Sequence, residues 1–122
     1  MLIETVQQET VKAVTNAGVE NVWINPPRKT ELPFVKLSIQ AVPTQYKLDL
    51  WGEEIDLEFT ILTQSEYHDN AENYAIMDKV LKGIKALEIL DRAILFKVTD
   101  MYVTTNENDV EVGTLRVTLK IY

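Results

Sequence analysis

The chain has 122 residues, no cysteine and a formal charge of −7, from 19 acidic against 12 basic side chains. That length makes a single domain, 1–122, large enough to bury a core without staples. The absence of cysteine excludes disulfides, thiolate zinc sites and cysteine nucleophiles, and the acidic balance argues against gripping nucleic acid or an anionic membrane by charge alone. Apolar runs are short and interrupted, and the N-terminus lacks the basic flank and apolar block of a signal peptide. A soluble intracellular protein with no membrane partner is expected.

Leu2 to Ala17 reads as a helix, with Ile3, Val6, Thr10, Val14 and Ala17 on one face and Gln7, Gln8 and Lys12 opposite. Gly18 is the expected C-cap. Val22-Trp23-Ile24 is a short strand, stopped by Asn25-Pro26-Pro27 because proline cannot donate to a ladder. Pro33 opens a second strand, Phe34 to Val42, with Val35, Leu37, Ile39 and Ala41 on one face and Lys36, Ser38 and Gln40 on the other. Glu53 to Thr63 alternates in the same way. The two strands are expected to form a hairpin, since sequential strands tend to pair, with Lys36, Asp56 and Glu58 on one solvated face.

Between these strands Tyr46, Leu48 and Leu50 alternate with Gln45, Lys47 and Asp49 in a parity opposite to the flanking core faces. Two readings stay open: a loop folded back over the core, or a long hairpin arm whose apolar strip, continued by Trp51, awaits a partner. Period 3.6 returns at Tyr74, Met77, Val80, Leu81, Ile84 and Leu87, a second helix over 71–87 lying on the sheet. Asp69 with Glu72 resembles a capping box at its start, and Lys79, Lys82 and Lys85 form its solvated side.

In the last strand pair the apolar parity flips twice. Ile94, Phe96 and Val98 give way to Met101 and Val103, and Val110 and Val112 give way to Leu115, Val117, Leu119 and Ile121. A hairpin centred on Asn106-Glu107 pairs Ile94 with Leu119, Phe96 with Val117, Val98 with Leu115, Met101 with Val112 and Val103 with Val110. Both flips then meet where Asp100 faces Gly113, and a paired kink or bulge is expected there. The tip beyond it would either twist or offer Met101, Val103, Val110 and Val112 from the opposite face, as a projecting arm. The element order is α-β-β-β-α-β-β, a mainly antiparallel sheet with two helices on one face, which is α+β.

No catalytic signature stands out. His68 lies near Ser65 and Asp69, but the spacing carries no triad geometry and reads as an ordinary turn. Glu53, Glu54, Asp56 and Glu58 could flank a hard cation, yet no calcium-type loop surrounds them. A solvated sheet face, or a rim meeting lysines of a neighbour, explains them better. Asn106 to Glu111 reads as an acidic hairpin loop. Walker and dinucleotide glycine motifs are missing, Arg28-Lys29 is too short for a nucleic-acid patch, and Trp23 and Trp51 read as core or rim aromatics. No cofactor or metal is expected.

The layout resembles the tail terminator, or tail completion, proteins of long-tailed bacteriophages and prophages, with their minor tail and head–tail joining relatives. The resemblance rests on the N-terminal helix, Val22-Trp23-Ile24-Asn25, Leu32-Pro33-Phe34-Val35-Lys36-Leu37, the hairpin into Ile55-Asp56-Leu57-Glu58-Phe59-Thr60-Ile61, the helix from Ala71 to Leu87 and the closing strand pair. It covers nearly the whole chain as a pattern, with no single diagnostic motif. It implies a non-enzymatic virion protein, present in the host cytoplasm during assembly. Such a protein forms a ring, typically a hexamer, that caps the tail tube, meets the head connector and lets DNA through its centre. On that reading Tyr46, Leu48, Leu50, Trp51, Met101, Val103, Val110 and Val112 are interface candidates, since a closed ring needs heterologous patches. Glu53, Glu54, Asp56 and Glu58 are candidate lumen-facing acids that would let DNA slide. The competing readings are a head–tail adaptor of the same apparatus, a small α+β enzyme or ligand-binding domain with a closed pocket, and a dimeric adaptor with an isologous contact.

Overall fold

The computed structural model describes residues 2–27, 30–42, 53–64, 70–89, 91–105 and 109–122, and for residues 2, 3, 40–42 and 53 the backbone alone. The arm expected over Thr44 to Gly52, with Tyr46, Leu48, Leu50 and Trp51, lies outside the described residues. So do Arg28, Lys29, Ser65, His68, Asp69, Asn106 and Glu107.

Helix α1 spans Leu2–Asn16 and buries Val6, Thr10 and Val14, one residue per turn of a single face. It ends as the glycine predicts. Gly18 has φ 106, its N–H donates to Thr15 O at 3.0 Å, and Val19 N–H donates to Val14 O at 3.3 Å. These two bonds are the paired closure of a Schellman motif, and Val19 buries itself beside the last turn. Strand β1 is Val22–Trp23, β2 Phe34–Val42 and β3 Glu53–Gln64. Helix α2 is Ala71–Lys85, and β4, Ile94–Thr105, and β5, Val110–Ile121, close the chain.

The strands form a five-stranded sheet in the order β1-β2-β3-β5-β4. β1 runs parallel to β2, and every other pair is antiparallel. The expected α+β class and the β2–β3 hairpin are therefore present. Because side chains alternate, cross-strand neighbours line up in rows on each face. On the inner face the rows read Val35–Ile61–Gly113–Val103, Leu37–Phe59–Leu115–Met101, Ile39–Leu57–Val117–Val98 and Ala41–Ile55–Leu119–Phe96. Helix α2 covers β3 and β5 with Met77, Val80 and Ile84, while α1 packs on α2, β1 and β2. The apolar stripe expected of α2 holds except at Tyr74, which is exposed.

The last hairpin corrects the sequence reading. Its register is Ile94 with Ile121, Phe96 with Leu119 and Val98 with Val117, and beyond the tip side of a bulge Asp100 with Arg116, Met101 with Leu115 and Val103 with Gly113. The irregularity falls between Val98 and Asp100, in β4 alone; β5 pairs with β3 without a break from Val110 to Ile121. One extra residue, Thr99, is enough to flip the parity of β4. The flip read in β5 has another cause. Glu111 and Gly113 occupy inward positions of an unbroken strand, so Val110 and Val112 lie on the opposite face from Met101 and Val103.

Glu111 is thus a buried strand residue and not part of a polar loop. Helix α2 begins after Asn70, which has φ 59 and makes no side-chain capping bond. The cap comes from across the fold: Glu111 Oε1 accepts the Asn70 N–H at 3.3 Å, and its Oε2 accepts from Thr63 Oγ1 at 3.3 Å. A carboxylate at a helix N-terminus is favoured by the dipole and the unpaired N–H groups. This cap stands where the sequence placed a box of Asp69 with Glu72. Asn73, fully buried one turn into α2, donates through Nδ2 to Ile61 O at 2.9 Å, Thr63 Oγ1 at 3.1 Å and Glu111 O at 3.3 Å.

Two stability measurements follow from this packing. Gly83 sits where α1 and α2 cross, and an added Cβ would lie 2.9 Å from Val14 Cα. Helix propensity alone favours Gly83→Ala by about 1 kcal/mol, but the clash is with backbone, which cannot rotate away. We expect a net loss, because overpacking costs roughly 1–3 kcal/mol, visible as a lowered urea midpoint. Glu111→Leu strands the Asn70 N–H and the Thr63 hydroxyl and should cost about 1–3 kcal/mol, whereas Glu111→Gln keeps an acceptor and should cost less. Equal losses for the two variants would show that the carboxyl oxygens do not cap α2.

Candidate functional site

A twelve-residue strand at the edge of a sheet presents a row of unpaired backbone groups, and natural sheets usually blunt such an edge with charge, proline or brevity. β4 is twelve residues long and is blunted by Lys97, by Asp100 and by its bulge, where Thr99 Oγ1 donates to Arg116 O at 3.2 Å. It is apolar on both faces. On the helix side Phe96, Val98 and Met101 end three of the inner rows beyond the cover of α1 and α2, and they are 37%, 38% and 45% exposed. On the other side Leu95 and Tyr102 are exposed at 62% and 44%. At the opposite end of the sheet, Trp23 and Ile24 are exposed on and just after β1. Most of the large exposed apolar side chains of the described residues therefore gather at the two ends of the sheet, with Tyr74 on α2 and Tyr122, just after β5, standing apart.

Of the interface residues read from the sequence, Met101 lies in this edge strip. Val103 lies beside it, partly buried against the core. Val110 and Val112 are half-buried on the helix-free face, in line with Gln64 and Leu62 of β3. The structure does not gather these four into one projecting tip. Leu95, Phe96, Val98, Tyr102 and Ile24 are exposed apolar residues that the sequence does not single out as surface candidates, and Trp23, read as a core or rim aromatic, stands at the rim. The signal for β4 was present, since Ile94-Leu95-Phe96 is apolar on both sides of the pleat. In sequence that pattern marks a central strand, and only the topology puts it at an edge.

The helix-free face carries the charge. Its rows read Trp23–Lys36–Thr60–Thr114–Tyr102, Ser38–Glu58–Arg116–Asp100, Gln40–Asp56–Thr118–Lys97 and Val42–Glu54–Lys120–Leu95. Lys36, Asp56 and Glu58 share this solvated face as expected. The acids are compensated within it. Arg116 Nε and an Nη donate to Glu58 Oε2 and Asp100 Oδ2, each at 3.1 Å, and these bonds, Glu58 first and Asp100 second, hold the guanidinium above its ordinary pKa. Thr118 Oγ1 donates to Asp56 Oδ1 at 2.8 Å. Glu54 stands opposite Lys120. Of Glu53 only the backbone is described. The rows around Arg116 floor a shallow open groove of about 660 Å³ lined by Ser38, Asp56, Glu58, Thr99 and Thr118. Among the described residues no group of three acidic or histidine side chains converges on a point that could hold a metal.

No protein-family model matches the sequence, and no curated protein matches it. Solved structures do share its fold. A chain from the virion of a native gene transfer agent (GTA) particle is similar over 98% of this chain and 96% of its own length, with a TM-score of 0.63 and 11% identity. The gp17 protein of bacteriophage SPP1 is similar over 98% of this chain and 90% of its own, with a TM-score of 0.62 and 19% identity.

The charged triad on the open face has a measurable weight. Glu58, Asp100 and Arg116 are each close to half exposed, and exposed ion pairs contribute little. Arg116→Met should therefore leave the urea midpoint nearly unchanged, with any difference shrinking as salt rises. A larger, salt-independent loss in urea unfolding would mean that the triad supports the fold.

Proposed function

We propose that this chain is a structural protein of a phage or prophage virion, a ring-forming tail terminator that caps the tail tube and joins it to the head connector. One observation carries the reading. The fold matches, over nearly the whole of both chains, a chain of a gene transfer agent virion and a protein of a bacteriophage.

The surface supports the same reading. A ring requires two different patches that fit one another around an axis, and the sheet ends in two different apolar edges, β4 and β1. The partners are further copies of the chain, typically six to a ring, with the tail-tube protein below and the head connector above. DNA passes without specific binding, and the chain works by assembly, with no catalytic residue and no cofactor. Asp56, Glu58 and Asp100 share the helix-free face. If that face lines the bore, Arg116 tempers the repulsion it presents to a phosphate backbone, leaving a weakly charged surface along which DNA slides. Tyr46, Leu48, Leu50 and Trp51 remain candidates for contact with the tube or connector.

Light scattering across a range of concentrations, with negative-stain images of the same sample, tests the assembly. The expected result is closed rings of one size with a central hole. Phe96→Asp and Met101→Asp place a charge on the exposed edge strip, and each should shift the mass to monomer while leaving the far-UV circular dichroism and the urea midpoint nearly unchanged. Two-fold dimers in place of rings, or rings indifferent to both substitutions, would overturn the assignment of ring or interface respectively.

A further inference from the structure

Strand direction limits how copies of this chain can meet. β1, β2 and β5 run one way and β3 and β4 the other. In copies related by rotation about an axis along the strands, every strand keeps its direction. β4 of one copy then faces β1 of the next in antiparallel orientation, the more stable of the two ladder types. We propose that β4 docks on the β1 edge of a second copy, so that one sheet continues from subunit to subunit. This rests on the ring reading and names the surfaces that close it.

The rows already described supply the register. The row that begins at Trp23 ends at Tyr102, and the row that begins at Val22 ends at Val103. Carried straight across the boundary, Tyr102 meets Trp23 of the second copy, Val103 meets Val22, and Thr104 meets Asn21. Aromatic stands on aromatic and aliphatic on aliphatic, the pairings that stabilise a ladder most. The helix-side strip of Phe96, Val98 and Met101 would meanwhile lie beside the flank on which the second copy's α1 covers β1 and β2.

The charges agree with this occupant. Lys97 is exposed on β4, whereas Glu20 and Glu31 are exposed around β1. None of the three has an ion-pair partner among the described residues. In a β4–β4 contact Lys97 would face a second β4, whose charged residues are Lys97 and Asp100, the latter already bonded to Arg116. Against the β1 edge, the register above sets it level with Pro27, beside which Glu31 lies, while Glu20 falls opposite Thr105. Unpaired opposite charges at a contact rim raise the rate of encounter and disfavour the wrong partner.

Because the chain has no native cysteine, the contact can be captured covalently. Asn21→Cys and Thr104→Cys are both at exposed positions outside the apolar strip. The two variants are purified separately, mixed and oxidised, with Lys85→Cys on the solvated side of α2 as a control for random collision. The expected result is a mixed 21–104 disulfide forming several-fold faster than either homodisulfide or any product with the control. The double variant should give a ladder of covalent oligomers, and Lys97→Glu should slow the mixed disulfide at low salt. Preferential 104–104 crosslinking would overturn the proposal in favour of a two-fold edge contact. Crosslinking at the control rate would also overturn it. Rings of the unmodified chain in the same buffer would then keep the assembly reading and place its interface elsewhere, whereas no rings would remove both.

Discussion

The docking of Asn73 onto a glycine holds the helical layer to the sheet. Gly113 lies on the inward face of β5 directly beneath α2, and a Cβ there would overlap Asn73 Oδ1 and crowd Met77 Cε. With no side chain in the way, the Asn73 amide reaches backbone oxygens on both β3 and β5. Buried amide hydrogen bonds of this kind add little net energy when made but are costly when broken. Their effect is to set where α2 sits along the sheet. Once α2 is placed, Glu111 lies at its N-terminus, and Met77, Val80 and Ile84 cover the rows of Phe59 and Leu115.

That placement determines what remains uncovered. Two helices of fifteen residues cannot cover a sheet of five strands. α1 takes the β1–β2 side because Gly83 lets it approach α2 closely, and α2 takes the centre. β4 is left beyond both, with apolar residues on each face. In an isolated monomer such an edge is an aggregation hazard; in an assembly it is a joint. The bulge at Thr99 fits either role, since it breaks the ladder that an unwanted strand would need while leaving the strip of Phe96, Val98 and Met101 on one side.

The same geometry changes how the acidic balance reads. Counted along the chain, Glu53 to Glu58 looks like a bare negative run. Across the sheet, Arg116 stands between Glu58 and Asp100, and Thr118 meets Asp56. The helix-free face is polar, densely hydrogen-bonded and close to electrically balanced in its central rows. Such a surface neither grips a polyanion nor strongly repels one.

Sequence alone determined the parts of this protein that depend on local periodicity. The alternation of Val35 to Ile39 and of Ile55 to Ile61, the 3.6-residue spacing of Met77, Val80 and Ile84, and the glycine that ends α1 each specify an element from its own residues, because a strand or helix face must be apolar wherever it is to be buried. Only the tertiary structure decided the matters that depend on what lies opposite. The parity flip at Val110 and Val112 reads as a kink in sequence, but it is an unbroken strand whose inward positions are a glycine beneath an amide and a glutamate capping a helix. Likewise the apolar run Ile94-Leu95-Phe96 looks like the middle of a sheet and stands at its edge. In both cases the deciding neighbour is far away along the chain, and no periodicity within a strand carries the identity of the group that will pack against it.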